Sequence, residues 1–180
     1  MNKMSFWFVL AIAITGAFFT MYVITQQTLR LLANDPQLQI SQDMANKLAS
    51  GASVQTVVPN DVIDMKHSLA PFIIVFDTQG APLAASGMID GAIPKPPPGV
   101  FDYTSKFKQD VFTWEPKKGV RIATVVNSYS GISKGFVLSG RSMRIVEERE
   151  EVIKNLVIGG WLATLGATLL FNFLFIKKRK

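Results

Sequence analysis

The chain has 180 residues, no cysteine, one histidine and a formal net charge of +6. No disulfide scaffold and no cysteine–histidine zinc site can be built from it, and its length allows one small domain besides any membrane segments. The positive excess does not make a nucleic-acid binder. Between residues 26 and 151 thirteen basic residues stand against thirteen acidic ones, and the excess sits at Lys3, Lys154, Lys177, Lys178, Arg179 and Lys180, so no basic face for a nucleic acid remains.

Ser5–Thr25 carries no charge, and about 20 apolar residues in a helix cross the roughly 30 Å hydrocarbon layer. A cleaved signal peptide has a shorter apolar region and a small-residue cleavage site. Here the run continues through Phe18, Phe19, Met21 and Tyr22 into Gln26–Gln27, so a retained anchor is expected. Asn155–Ile176 is a second uncharged stretch, followed by Lys-Lys-Arg-Lys. Basic flanks stay cytoplasmic. The expected organisation is a cytoplasmic N-terminus (1–4), a first transmembrane helix (5–25), an exported domain (26–151), a second transmembrane helix (152–176) and a basic cytoplasmic tail (177–180). The location is the cytoplasmic (inner) membrane, with the central domain periplasmic or extracellular. The basic ends also favour anionic lipid.

After the first span, Leu38, Ala45, Leu48 and Ala52 lie near one helical face, with Ile40 and Met44 beside it. Asn34 or Asp35 caps, Pro36 suits a first turn, and Gly51 ends the segment. A membrane-proximal helix over about 36–50 is predicted, either kinked at Pro36 or separate from the span. Residues 53–70 are weakly patterned, with a short helix around Pro59–Asp64. Phe72–Phe76, the turn Asp77-Thr78-Gln79-Gly80, and Pro82–Ser86 read as a hairpin with glycine supplying positive φ. The unbroken apolar run predicts a strand covered on both faces. Ile93–Val100 holds four prolines and is an extended loop, either a stiff connector or a cover over a pocket mouth. Asp110–Glu115, Gly119–Asn127 and Gly135–Gly140 are further strands, mostly hairpin-linked. The sum is an α+β domain with a five-stranded antiparallel sheet over about 72–140 and flanking helices. Ser142–Lys154 is rich in helix formers, with Arg144–Glu148 and Glu150–Lys154 as i,i+4 pairs of opposite charge. One continuous exit helix from about 142 to 176 is predicted, joining the last strand to the second span.

The stretches NDPQLQISQDMANKLASG, PFIIVFDTQGAPLAASG, GVRIATVVN and GFVLSGRSMRIVEEREE resemble the exported sensor regions of bacterial two-span receptors, which carry a PAS-like fold of the Cache type. The resemblance covers about residues 30–155 and rests on a hairpin and an exit helix, with no catalytic motif. It implies ligand sensing. Members of that class usually continue into a HAMP linker, a kinase core, a cyclase or a chemoreceptor rod. Four basic residues stand here instead, so the output is expected from another protein.

No catalytic residue, cofactor or metal is expected. His67 is the single histidine, a surface or helix-end residue or else a pH sensor. There is no G-x-S-x-G elbow, P-loop or G-x-G-x-x-G, and the chain is not expected to be an enzyme. PAS-like domains hold ligands between the sheet and its loops, which points to Tyr103, Trp114, Arg121, Tyr129 and Arg141 as ligand-binding candidates. Arg121 either faces outward or pairs inward with a carboxylate. Trp114 either packs in the core or stacks on a ligand. In the spans, Ala13 and Ala17, Gly159, Ala163 and Ala167, and Gly160, Thr164 and Thr168 recur every fourth residue, a spacing that lets helices approach closely. One stripe of the second span seats the first span and the other a second protein.

The expected function is a membrane-anchored receptor-like subunit. Its exported domain senses a small ligand or partner and passes the change through its transmembrane helices to a separate membrane protein. The partners are the lipid bilayer, a second copy in a homodimer and/or another membrane protein (kinase, transporter or complex subunit), and a small-molecule ligand. The alternative is a structural or assembly subunit of a larger membrane complex. A sensor should have a polar-lined cavity beneath Ile93–Val100, a brace a filled core and an exposed apolar patch.

Overall fold

A computed structural model describes residues 3–177, so the expected tail beyond Lys177 and the first two residues lie outside the described residues. In chain order the elements are α1 (Lys3–Ala49), α2 (Val54–Val57), β1 (Ile63–Asp64), β2 (Phe72–Phe76), β3 (Pro82–Ala85), β4 (Gly87–Met88), α3 (Val100–Phe107), β5 (Gln109–Lys117), β6 (Val120–Ser130), β7 (Lys134–Ser142) and α4 (Arg144–Lys177). They group into two compact units, Leu31–Val146 and the outer arms of α1 and α4, up to Arg30 and from Glu147.

In Leu31–Val146 a five-stranded antiparallel sheet has the order β3-β2-β7-β6-β5, and β1 and β4 form a separate parallel pair. The fold class is α+β, a five-stranded antiparallel sheet with long N- and C-terminal helices. Strand β2 is buried at all five positions because it lies between β3 and β7 and is covered on both faces. Alternation divides its residues: Phe72, Ile74 and Phe76 enter one core with Met65, Trp114, Ile122, Val126, Phe136 and Leu138. Ile73 and Val75 enter a second core with Ala45 and Leu48 of α1, Val57, Val58, Tyr129 and Val137. One face is thus covered by α1, the other by α3 and the loops. The register fits: Phe72, Ile74 and Phe76 oppose Gly140, Leu138 and Phe136.

Helix α1 runs through Pro36 without a break. Proline there removes the hydrogen bond to the Leu32 carbonyl, but Leu32 and Pro36 are both exposed, so the released carbonyl lies on an open side. The short helix before the sheet lies at Val54–Val57, not at Pro59–Asp64. The Ser53 hydroxyl caps it, accepting from the Thr56 N–H at 3.2 Å, and Val58, just before Pro59, is already extended, as a residue preceding proline prefers. Helix α3, absent from the sequence prediction, follows the proline-rich loop. It starts after Gly99 at φ 87° and ends on Lys108 at φ 72°.

In the other unit, both helices contain segments long and apolar enough to cross a bilayer. The Trp161 indole N–H donates to Thr15 Oγ1 at 3.0 Å, and a Cβ added at Gly160 would lie 3.1 Å from the Phe18 ring. Thr15, Thr20, Thr25 and Thr28 donate their hydroxyls to carbonyls one turn back, which satisfies them without water. Beyond the apolar stretch Arg30 pairs with Glu150 at 2.9 Å.

Candidate functional site: the strand-to-helix exit and the polar seam on α1

The five candidate ligand residues do not form one cluster. Trp114 is buried on the loop-covered face, and its indole N–H donates to Thr124 Oγ1 at 2.9 Å. Tyr129 is buried on the opposite, α1-covered face, and burial raises its phenol pKa above the ordinary value, opposed by a hydrogen bond to Ser133. Tyr103 is exposed on α3 with its ring centroid 4.5 Å from that of Phe107. Arg121 is exposed at the start of β6. Arg141, half-buried near the end of β7, donates from Nε to the Leu69 carbonyl at 3.2 Å. Beneath the proline-rich loop the space is taken by aromatic packing: Phe101 of α3 lies with its ring centroid 5.0 Å from Phe76 and 4.8 Å from Phe136, and Ile93 packs on the same cluster.

Two other places gather polar groups. The first is where the sheet becomes α4. Only Met143 separates β7 from α4. It is buried, and its N–H donates to the Arg121 carbonyl at 2.9 Å. On either side of it, Arg141 holds the Leu69 carbonyl, and Arg144 Nη2 donates to the His67 carbonyl at 3.0 Å. Two guanidinium groups, one ending the strand and one opening the helix, therefore grip the same segment, 67–69. The His67 ring sits 2.7 Å from Asp64 Oδ2. That contact, with a backbone bond from Lys66, holds the Asp64 carboxyl below its usual pKa. The segment continues β1, whose partner β4 follows the β2–β3 hairpin. The exit is thus hydrogen-bonded to a loop that leads on from the β1–β4 pair.

The second place is the contact of α1 with the sheet. At its C-terminal end Ala45 and Leu48 pack on Ile73, Val75 and Val137. Towards its N-terminal end the same face carries Ser41 and Gln37, both fully buried. Ser139 of β7 donates its hydroxyl to Gln37 Oε1 at 2.7 Å. Asn127 of β6 donates Nδ2–H to Ser41 Oγ at 2.7 Å and accepts from Gln109 Nε2 at 3.1 Å. Truncating a buried leucine such as Leu48 costs about 2–5 kcal/mol, whereas each hydrogen bond contributes a net of about 0.5–1.5 kcal/mol. The apolar end therefore holds the helix more firmly than the polar seam does. The sequence pattern placed Leu38 on the buried face in place of Gln37 and Ser41. Apolar periodicity assigns glutamine and serine to solvent, and only their partners on distant strands reverse that.

At the sheet's periphery Asp90 (φ 52°) accepts from Lys66 at 2.7 Å and also pairs with Lys117. The Lys117 and Lys66 hydrogen bonds hold its carboxyl down at about 2 from an ordinary 3.8. A carboxylate whose pKa is depressed on folding contributes stability that is full above the unfolded value and lost as pH falls through the folded one. In urea titrations the midpoint is expected to drop between pH about 4 and about 2, and Asp90→Asn should flatten that part of the profile. Asparagine tolerates positive φ as aspartate does, so the change removes charge without a new backbone conflict. Among the described residues no cluster of histidine, cysteine or carboxylate side chains is arranged to hold a metal ion.

In the unit formed by the helix arms, Gly160, Thr164 and Thr168 lie partly buried, while Ala13, Ala17, Gly159, Ala163 and Ala167 are exposed. An apolar groove of about 240 Å³ runs beside the contact, lined by Thr15, Phe18, Phe19, Tyr22, Val157, Ile158 and Trp161. Lys154 lines it too, its ammonium 2.6 Å from Glu151.

No protein-family model matches the chain. No curated protein matches it either. Among solved structures it is similar to the ligand-binding domain of the amino acid chemoreceptor PctB of Pseudomonas aeruginosa PAO1, in complex with L-Gln. The identity is 15%, the TM-score is 0.47, and the match covers 72% of this chain. It spans 56% of the length of that receptor domain.

Proposed function

We propose that the chain is a membrane-anchored receptor-like subunit with a PAS-like sensing domain between two transmembrane helices. Both termini are cytoplasmic and the domain is exported. The domain responds to a small ligand or a partner, and α4 carries the response into the membrane. A separate membrane protein, a kinase, transporter or complex subunit, receives it there, with a second copy of the chain as a further candidate partner. The observation that carries this reading is the exit. Strand β7 passes into α4 across one buried residue, and Arg141 and Arg144 tie that joint to segment 67–69. A displacement of the sheet edge or of the loop has a short hydrogen-bonded route to the helix.

The exposed small residues Gly159, Ala163 and Ala167 supply a face on which another helix packs closely. A photoreactive side chain at Ala163 or Ala167 in the native membrane tests this. One defined membrane protein other than this chain is expected among the adducts, with none from the inward Thr164 or Thr168. Adducts confined to lipid and to copies of the chain would overturn a separate receiver.

A second reading, a structural or assembly subunit, is favoured by one observation. The space beneath the proline-rich loop is filled by Phe101, Phe76, Phe136 and Ile93. Thermal unfolding of the full chain in nanodiscs against amino acids, organic acids and amines separates the two. A ligand raises the midpoint of a sensor, and a brace answers to none of them.

A further inference from the structure

The α1 contact changes character along its length. Ala45 and Leu48 are seated in an apolar core. Gln37 and Ser41, on the same face, reach the sheet through side-chain hydrogen bonds from Ser139 and Asn127, with Ile40 beside them packing partly on that core. This polar half is incompletely paired. Gln37 is fully buried, yet among the described residues its Nε2 has no partner, and Asn34 Oδ1, one turn away on the same helix, has none. A buried amide with one half unpaired is costly. Proline at 36, between them, deletes a backbone bond at the same place. Ser139 in turn lies three residues before the end of β7, and Arg141 follows on the same strand face. The seam therefore joins the segment leading in from the first span to the strand leading out to the second.

We propose that Gln37, Ser41, Asn127 and Ser139 form a hydrogen-bonded clasp that opens while Ala45 and Leu48 stay seated, so that the Asn34–Ser41 segment of α1 shifts on the sheet and regulates the relay. The device rests on the sensor reading for its purpose. Its existence is tested without ligand, partner or output. In the open state the unpaired donor of Gln37 and acceptor of Asn34 gain partners, and the bonds to Ser139 and Asn127 are surrendered. The two states are close because opening exchanges hydrogen bonds and disturbs only the half-buried Leu38 and Ile40, while the fully buried Leu48 stays seated.

Amide hydrogen exchange on the full chain in nanodiscs decides the matter. In the wild type, amides of residues 37–41 are expected to exchange on the order of tenfold faster than those of residues 45–49, reporting a local opening below the global one. The pair Gln37→Met with Ser139→Ala replaces both partners by apolar groups of similar shape and removes the unpaired amide. It should close that gap, raising protection at 37–41 about tenfold. Equal protection in the two wild-type segments would overturn the clasp, as would a gap that survives the paired replacement. If the double variant does not fold, the wild-type comparison stands by itself, and Ser139→Ala alone, which strips Gln37 Oε1 of its donor, should widen the gap. A narrowed or unchanged gap in that variant counts against the proposal. A failed clasp leaves the photocrosslinking result untouched, so the two ideas fail separately.

Discussion

Gly140→Ala is expected to destabilise the domain by about 3 kcal/mol or more, at the upper end of what overpacking costs. A Cβ at that position would lie 2.3 Å from Phe72 Cζ, and one at Gly87 would lie 2.4 Å from Phe72 Cδ2. The Phe72 ring thus occupies a slot between glycines of β7 and β4, and it is almost fully buried. It has no alternative site, because Ile74 and Phe76 continue the same face into the same core. Strand pairing fixes the backbone from the other side, since Gly140 opposes both Phe72 and Thr124. The measurement is urea unfolding of Gly140→Ala, Phe72→Leu and the double variant. If the ring contact is the cause, the smaller side chain should rescue part of the loss, with a coupling of about 0.5–3 kcal/mol. Strictly additive losses would assign the damage to the β-strand backbone instead.

The glycine slot shows which parts of this molecule a sequence reader reaches. The hairpin was legible because its information is local. Five consecutive apolar residues demand two covered faces, and Asp77 and Gly80 mark the turn. Asp77 Oδ1 accepts from the Gln79 and Ala81 N–H groups at 2.9 and 2.8 Å, and Gly80 adopts φ 78°. The exit helix was legible for the same reason, a run of helix formers free of glycine and proline up to Gly159. Helix α3 was not. It is eight residues long, lies behind four prolines, and closes on a lysine at positive φ, a position where lysine is uncommon. The pairing of β1 with β4 joins two residues to two others far along the chain and leaves no periodic trace. The candidate ligand residues were chosen by chemistry, and strand parity separated them. Trp114 shares a face with Ile122 and Val126, Tyr129 the other face with Val137. The polar seam was hidden because Gln37 and Ser41 meet partners on distant strands, Ser139 and Asn127, which lie 102 and 86 residues away along the chain.

Val152→Pro is expected to sever the proposed relay through α4 while leaving the Leu31–Val146 unit folded. Val152 is exposed, eight residues into α4 and outside the Leu31–Val146 unit, so its replacement removes no core contact. Proline in a helix interior deletes one backbone bond and clashes with the carbonyl four residues back, a local cost of about 3 kcal/mol. That carbonyl belongs to Glu148, and the break falls between the Arg141–Arg144 joint and the apolar stretch that begins at Asn155. The chain lacks cysteine, so Asn155→Cys supplies a unique reporter for a membrane-impermeant maleimide. Loosening the seam by Ser139→Ala should change its labelling rate, and adding Val152→Pro should abolish that change. The melting temperature of the domain should stay within about 2 °C, because the helix break falls outside the Leu31–Val146 unit and its cost is not borne by the domain core. A labelling response that survives the proline would mean that the signal leaves along α1, whose own proline already interrupts the hydrogen-bond ladder at the height of the seam. The contrast follows from helix mechanics. Between the domain and the spans, α1 carries a built-in weak point at Pro36 and α4 carries neither proline nor glycine before Gly159. On the proposed reading the stiffer helix is the one that would transmit, and the softer one the one that would yield.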